Sequence, residues 1–173
     1  GFTLAAIVLC ACDNSSTAVP EMLDPVGPSD TAMSAKRKLY ERIFDDDTIR
    51  RYDLVVDPES LATIDADPTR GQYVEGTLIV EGDTMRHVGV RYKGSEGAWY
   101  ECVEYGPGGG AKTCPLSMQI KINRANKDTT FFGLKDFQLH ALNDDASKLI
   151  QRIGYWFYRE MGVPAPRVAQ VEL

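Results

Sequence analysis

The sequence has no excess of basic residues, since 19 Lys and Arg stand against 25 Asp and Glu and the formal charge is -6. Proteins that bind nucleic acid usually carry a basic face and a high pI, so this balance argues against a nucleic-acid partner while leaving room for a local basic pocket. Histidine is scarce, with only His87 and His140, and the sequence has no internal repeat. With 43% hydrophobic and 25% charged residues, the composition is that of a globular protein with one domain of normal size.

A long hydrophobic run is also missing. Residues 2–10 are apolar, but they are only as long as the hydrophobic region of a signal peptide and too short to span a bilayer as a helix. The sequence Leu9-Cys10-Ala11-Cys12 is similar to a bacterial lipobox, in which Cys12 becomes the lipidated N-terminus. A plain signal peptide or a buried apolar segment is the alternative. Neither an initiator Met nor a basic region precedes this stretch, so we expect the sequence to begin inside an open reading frame.

The segment after this leader has the composition of a tether. Residues 14–30 are rich in Ser, Pro, Thr and Asp and show no hydrophobic period. We therefore divide the chain into a signal peptide with lipobox at 1–12, a disordered linker at 13–33 and a folded domain at 34–173. This organisation predicts an exported cell-envelope lipoprotein that its N-terminal lipid holds at the membrane.

Cysteine is scarce in the folded part, where Cys102 and Cys114 flank the glycine-rich run YGPGGGAKT. A loop this short can close readily, and an exported protein matures where disulfides persist. A metal site would need more Cys or His residues nearby. The sequence therefore predicts a structural disulfide between Cys102 and Cys114.

Hydrophobic periodicity predicts an α+β fold with an antiparallel sheet and a packed helix. Strands are predicted at 51–56, 73–80, 84–93, 116–123, 134–142 and 167–173, and helices at 34–44, at 59–66 and from Asp144 or Asp145 to about Met161. The last helix has a wide apolar stripe, formed by Leu149, Ile153, Trp156, Phe157 and Met161. We expect this stripe to lie on the sheet and to cover one of its faces.

Polar side chains alternate with apolar ones along the predicted strands. Arg91 and Lys93 share the polar face of one strand, and Gly94 and Ser95 then break it with a turn that can offer backbone donors to an anion. The polar faces of the sheet together hold Arg91, Lys93, Gln119, Lys121 and His140. Such a set of cations and amide donors suits a phosphate group. A solvated sheet face whose charges prevent aggregation is the alternative.

Three blocks of the sequence resemble the spore coat protein H (CotH) kinase family, namely VGVRYKGSEG, LSMQIKI and FFGLKDFQLHALNDDASKLIQRIGYWFYREMGVPAPRVAQVEL. The similarity runs in order from about Tyr52 to Leu173, and its most specific parts are RYKGS at 91–95 and GVPAPR at 162–167. The insertion that contains the two cysteines is similar to the secreted bacterial branch. On this resemblance, 34–173 is the N-terminal part of a CotH kinase-like domain.

The resemblance implies an atypical protein-kinase-like fold that binds ATP and a divalent metal such as Mg between two lobes and phosphorylates a serine or threonine of a protein substrate. Lys121 is then the strand lysine that grips the phosphates, and Arg91, Lys93, Gly94 and Ser95 are auxiliary phosphate contacts. The metal-binding and catalytic acids of the family lie C-terminal to the matched segment. We therefore expect this chain to be a truncated N-terminal lobe that holds no catalytic residue and is inactive by itself.

Two other functions remain open at the level of the sequence. One is a non-catalytic binding module anchored to the envelope, with an envelope protein as its partner. The other is a structural surface lipoprotein. A second lobe with paired acids favours the kinase, whereas a stop codon soon after Leu173 favours the binding module.

Overall fold

The computed structural model describes Lys38, 40–45, 47–94, Trp99, 102–106 and 109–173 of the chain. The predicted signal peptide with its lipidated Cys12, the predicted linker and Ser95 lie outside these residues. Within the ranges just given, no helix combines the length and the apolar composition of a membrane span.

The described residues form short strands connected by turns and a few helices. The strands are β1 (Arg50–Val56), β2 (Val74–Val80), β3 (Asp83–Tyr92), β4 (Val103–Gly106), β5 (Gly109–Lys112), β6 (Met118–Lys121), β7 (Asp136–Leu139) and β8 (Val171–Glu172), and the helices are α1 (Pro58–Ala66) and α2 (Ile150–Glu160). Single 3-10 turns lie at Pro68–Arg70 and Ile122–Arg124, and residues 40–43 are helical.

Local sequence accounts for the start of α1 and for the hairpin between β2 and β3. Asp57 caps α1, because its carboxylate accepts the backbone N–H groups of Glu59 and Ser60. The hairpin turn consists of Glu81 and Gly82, and both residues have a positive φ, 52° and 91°. Two-residue turns of this handedness match the twist of the strands they join.

Six strands form one sheet in the order β7-β6-β3-β2-β1-β8, and β4 pairs with β5 in a separate hairpin. Every neighbouring pair of the large sheet is antiparallel except β1 and β8, which run parallel. The predicted α+β class is confirmed, but the sheet is mixed rather than antiparallel. The reason is the connection through α2, which crosses from β7 at one edge to β8 at the other and returns the chain in the direction of β1.

The large sheet curls round its own core. The ring of Tyr52 on β1 lies edge to face against Phe137 on β7, with 6.2 Å between the ring centroids. In the sheet, however, β2, β3 and β6 separate the two strands. Ile43, Phe44 and Ile64, which lie outside the sheet, are buried in the same core. The curled sheet, α1 and the helical segment before β1 therefore enclose the core together.

The prediction that the last helix lies on the sheet is wrong. No residue of α2 is buried, and its large apolar side chains are exposed. Two arginines hold the inner side of the helix, since Arg159 donates to the carbonyl of Pro166 at 2.6 Å and Arg152 donates to the side chain of Gln170 at 3.2 Å. An apolar stripe shows that a helix has a surface to bury, but the curled sheet already encloses its core and leaves no open face for this stripe.

The helix α2 also begins later than predicted, because turns occupy the residues before Ile150. Leu149 is the N-cap residue and has no side-chain cap, but the carboxylate of Asp145 accepts the N–H of Ile150 at 2.8 Å and the hydroxyl of Ser147 at 2.6 Å. The hydrogen bond from Ser147 and those from backbone N–H groups hold the pKa of Asp145 below its usual value. The charged carboxylate is thus part of the start of this helix.

Candidate functional site

The strand register aligns the polar side chains that the sequence predicted on one face of the sheet. Across β3, β6 and β7, Arg91 is the neighbour of Gln119 and Gln119 is the neighbour of Gln138, while Lys121 lies opposite Gly89. Neighbours in register share a face of the sheet, so these side chains are on the face opposite the core. The guanidinium of Arg91 donates from Nε and Nη2 to Oε1 of Gln119, at 3.0 and 2.6 Å.

The aromatic ring of Tyr73 lies beside these cations. Cζ of Arg91 is 5.1 Å from the centroid of the ring, and Nζ of Lys121 is 5.9 Å from it. Both distances are within the range of cation–π attraction. Tyr73 directly precedes β2, and the pairing of Val74 with Val90 places it next to Arg91. The ring therefore keeps two cationic side chains close to each other.

Gly89 lies beneath these side chains. A Cβ atom at this position would be 3.0 Å from Cδ1 of Tyr73, 3.0 Å from Cδ of Arg124 and 3.4 Å from Cβ of Lys121. Glycine therefore leaves room for three side chains to converge. Arg124 reaches this place because the 3-10 turn follows β6 directly, and residues three apart in such a turn lie on the same side. We call Tyr73, Arg91, Gln119, Lys121 and Arg124 the Tyr73 cluster.

The three cations of the Tyr73 cluster lack an ion-pair partner in the described part of the chain. No carboxylate there lies within 4.0 Å of the charged atoms of Arg91, Lys121 or Arg124. Elsewhere in the described residues, cationic side chains do pair with Asp or Glu, namely Arg42, Arg50, Arg51, Lys112 and Arg167. The cluster is therefore a local positive surface on a chain of net charge -6.

Two carboxylates are close to the cluster in the strand register. Glu75 is the neighbour of Gly89 and contacts Nδ1 of His87 at 3.0 Å, so it faces the histidine. Asp136 is the neighbour of Lys121 and is exposed. Neither reaches ion-pair distance to the cluster, and their charges reduce its positive potential without cancelling it.

Lys93 and His140 form a second polar group on the same face. Nζ of Lys93 donates to Oε1 of Gln138, and Nε2 of His140 is 3.2 Å from the same oxygen. Burial, and next the charge of Lys93, lower the pKa of His140 to about 4. The histidine is therefore neutral at pH 7. The face that the sequence predicted as one set of cations thus contains two groups, each held by a glutamine.

The described residues after β3, Lys93 and Gly94, contact other parts of the fold. The N–H of Lys93 donates to the carbonyl of Ser117 at 2.8 Å, so the sheet uses this donor. A Cβ atom on Gly94 would lie 2.9 Å from Cε2 of Trp99, which shows that the indole packs directly on this glycine. Ser95, the other predicted turn contact, lies outside the described residues. The predicted anion contact of Gly94 stays a prediction.

Cys102 and Cys114 are joined, with 4.8 Å between their Cα atoms, a separation typical of disulfides. The bridge closes the hairpin of β4 and β5, which the sequence suggested only as a glycine-rich loop. Nδ2 of Asn143 lies 3.2 Å from the sulfur of Cys102 and 2.8 Å from the carbonyl oxygen of Pro115. Asn143 thereby ties the chain before α2 to the base of the hairpin.

The donors of the Tyr73 cluster are guanidinium, ammonium and amide N–H groups, which suit an anion. Among the described residues, no group of three or more His, Cys, Asp and Glu side chains is arranged to hold a metal ion. The cluster can therefore bind phosphate oxygens through hydrogen bonds and charge.

Comparison with known proteins gives no further guidance. No protein family, no curated protein and no solved structure matches this chain. The similarity to the CotH kinase family therefore remains a prediction from the sequence blocks quoted above.

Proposed function

We propose that this chain supplies the phosphate-binding sheet of a CotH-like atypical protein kinase, with ATP as the ligand of the Tyr73 cluster. The observation that supports this proposal is the group of three cations, Arg91, Lys121 and Arg124, without a carboxylate partner within 4.0 Å in the described part of the chain. An isolated group of like charges gains free energy when an anion binds, because the anion removes their mutual repulsion.

The two main cations would act differently on the phosphates. Gln119 holds Nε and Nη2 of Arg91 and leaves Nη1 of the planar guanidinium for a phosphate oxygen. Lys121 is the strand lysine of the resemblance and contributes a compact point charge. Arg124, which follows the strand predicted at 116–123, adds a third charge.

The wider proposal follows the resemblance. In the CotH kinase family the metal-binding and catalytic acids lie C-terminal to the region that this chain resembles, so the proposal assigns the residues described above to phosphate binding alone. A serine or threonine of a protein is the acceptor. The apolar residues 2–10 and the lipobox at Cys12 support an exported, envelope-anchored protein.

Titration calorimetry with ATP tests the proposal. We expect Lys121→Ala and Arg91→Ala each to weaken binding about 10- to 100-fold, since a charge-assisted hydrogen bond contributes about 1.5–3 kcal/mol. The matched controls are Lys127→Ala in the exposed loop after the cluster and Arg86→Ala at the exposed end of β3, and both should leave the affinity unchanged. Equal affinities in all four variants, or no binding by the unaltered chain, would remove ATP from this site.

Inorganic tripolyphosphate separates a nucleotide site from a general anion site. A nucleotide site should prefer ATP to tripolyphosphate, because the base and ribose add contacts. If tripolyphosphate binds as tightly as ATP and the same two alanine variants weaken it, the cluster binds phosphate but the kinase proposal loses its support.

A further inference from the structure

The outer side of α2 is a continuous apolar surface. Ile150, Ile153, Phe157 and Met161 follow one another at helical spacing, and their side chains are 65%, 56%, 54% and 63% exposed. Four further exposed apolar residues border this stripe: Leu149, Trp156, Tyr158 and Val163. A continuous apolar surface of this length is unusual on the outside of a monomeric protein.

Specific polar contacts hold the helix in this orientation. Arg159 and Arg152 bind Pro166 and Gln170 on the inner side, as described above. Nε2 of Gln170 also donates to the carbonyl of Lys148, at 3.1 Å, at the start of the helix. A rotation that turned the apolar side inward would break these hydrogen bonds. The outward direction of the stripe is therefore built into the fold.

Gly154 interrupts the surface at its centre. Ile150, Gly154 and Tyr158 are spaced four apart and form one ridge of the helix. A Cβ atom at Gly154 would meet nothing within 4 Å, so packing within the described chain does not require glycine here. Glycine inside a helix is less favourable than alanine. The missing side chain leaves a gap that a side chain from another molecule can enter.

The position of this gap makes the surface complementary to itself. If two copies of α2 pack antiparallel about a twofold axis between residues 155 and 156, Phe157 of one copy faces Gly154 of the other. The same axis places Ile150 against Met161 and Ile153 against Tyr158. An interface between identical chains needs such reciprocal pairs, in which each patch contains both the projecting residue and the gap.

The area of the surface is sufficient for a stable dimer. Eight apolar side chains are roughly half exposed. At roughly 100 Å² for each half-exposed large side chain they offer on the order of 800 Å² per copy, as much as each partner contributes to a standard interface and more than the usual largest apolar patch of a monomer. We propose that this chain forms a homodimer through antiparallel packing of α2 against α2 of a second copy, with Phe157 inserted over Gly154.

Sedimentation of the 173-residue chain from roughly 1 to 100 μM, the range in which weaker interfaces of this size dissociate, tests the proposal. We expect a dimer that Phe157→Asp converts to a monomer. Gly154→Leu should have the same effect. This variant keeps the fold, because leucine is the better helix former and the position is open in the monomer. The control Ile49→Asp changes an apolar residue of similar exposure outside α2 and should leave the dimer intact.

The other outcomes each overturn the homodimer. A chain that is monomeric over the whole range has no such interface. A dimer that survives both Phe157→Asp and Gly154→Leu uses another surface. A monomer that instead binds phospholipid vesicles, and loses this binding in Phe157→Asp, uses α2 to contact a membrane.

Discussion

Oε1 of Gln119 on β6 accepts two hydrogen bonds from Arg91 on β3, one from Nε and one from Nη2. A glutamine satisfies the guanidinium without neutralising it, so Arg91 is held in one orientation and keeps its full charge for a ligand. A carboxylate at the same position would make an ion pair with Arg91 and leave only Lys121 and Arg124 as charges of the cluster that are unpaired in the described part of the chain. The identity of residue 119 therefore affects how strongly the Tyr73 cluster attracts an anion.

Substitutions at residue 119 test this relationship. We expect Gln119→Leu to weaken ATP binding about fivefold, which corresponds to the roughly 1 kcal/mol of a neutral hydrogen bond. Gln119→Glu should weaken binding further and leave the thermal stability equal or higher, because the new carboxylate pairs with Arg91. Calorimetry and thermal melts measure the two effects. If Gln119→Glu binds ATP as tightly as the unaltered chain, Arg91 does not contact the ligand.

Replacing Gly89 or Gly154 by alanine should change the free energy of unfolding in opposite directions. Gly89→Ala places a methyl group 3.0 Å from Tyr73 and Arg124, so we expect the free energy of unfolding to fall by about 1–3 kcal/mol. Gly154→Ala has open space and a helical backbone, so the monomer should gain up to about 1 kcal/mol. Urea denaturation of the two variants and the unaltered chain, at a protein concentration low enough to keep the chain monomeric, measures both changes. A neutral Gly89→Ala variant would show that the side chains above it are not held in place.

The disulfide should contribute to stability through the loop that it closes. Cys102 and Cys114 are 12 residues apart, and we expect reduction to lower the free energy of unfolding by about 2–4 kcal/mol. The variant with both cysteines changed to alanine is the control, because a reductant should not change its stability. Peptide mapping of oxidised protein checks the pairing, and two free thiols at these positions would contradict it.

His140 should make the protein sensitive to mild acid. Its pKa falls from 6.5 to about 4 on folding, through burial and then the charge of Lys93. The unfolded chain therefore binds a proton more readily, and stability should decrease as the pH falls from 6.5 towards 4. His140→Gln should remove this part of the pH dependence. NMR titration of the His140 ring measures the pKa directly, and a value near 6.5 would exclude the effect.

The sequence predicts the polar face of the sheet because two strands alternate regularly. Arg91 on β3 and Gln119 on β6 each lie between apolar residues that enter the core, so their side of the strand follows from the period alone. The contact between them depends on the register of the two strands, which the period does not determine. Their position on one face could be predicted, and their hydrogen bonds could not.

The positions of Tyr73 and Arg124 in the site could not be predicted from the period of apolar residues. Tyr73 lies just before β2, and only the pairing of Val74 with Val90 places it beside Arg91. Arg124 belongs to a single 3-10 turn, which has no signature in the period of apolar residues. Counting back from the turn at Glu81 and Gly82 would pair Tyr73 with Val90 rather than with Arg91, because the register of β2 and β3 shifts by one residue between Gly76 and Leu78. The sequence gives no sign of this shift, and it gives none of the position of Arg124.

The prediction that the apolar side of α2 lies on the sheet was wrong for a different reason. The stripe through Ile153 and Phe157 indicates which side of the helix is apolar, but the sequence does not indicate which surface is free to cover it. The sheet curls until Tyr52 meets Phe137, and that closure depends on the twist of all its strands. The same limit applies to β8, whose parallel pairing with β1 follows from the path of the chain across the molecule.

The contact between Tyr52 and Phe137 has a consequence for how the chain folds. The two rings belong to strands at distant positions in the sequence, and they can meet only after β2, β3 and β6 have paired and twisted. Contacts between distant residues slow folding, because the chain must close a long loop before the contact contributes any stability. We therefore expect the hairpin of β2 and β3 to form early and the closure of the curl to be the late, slow event.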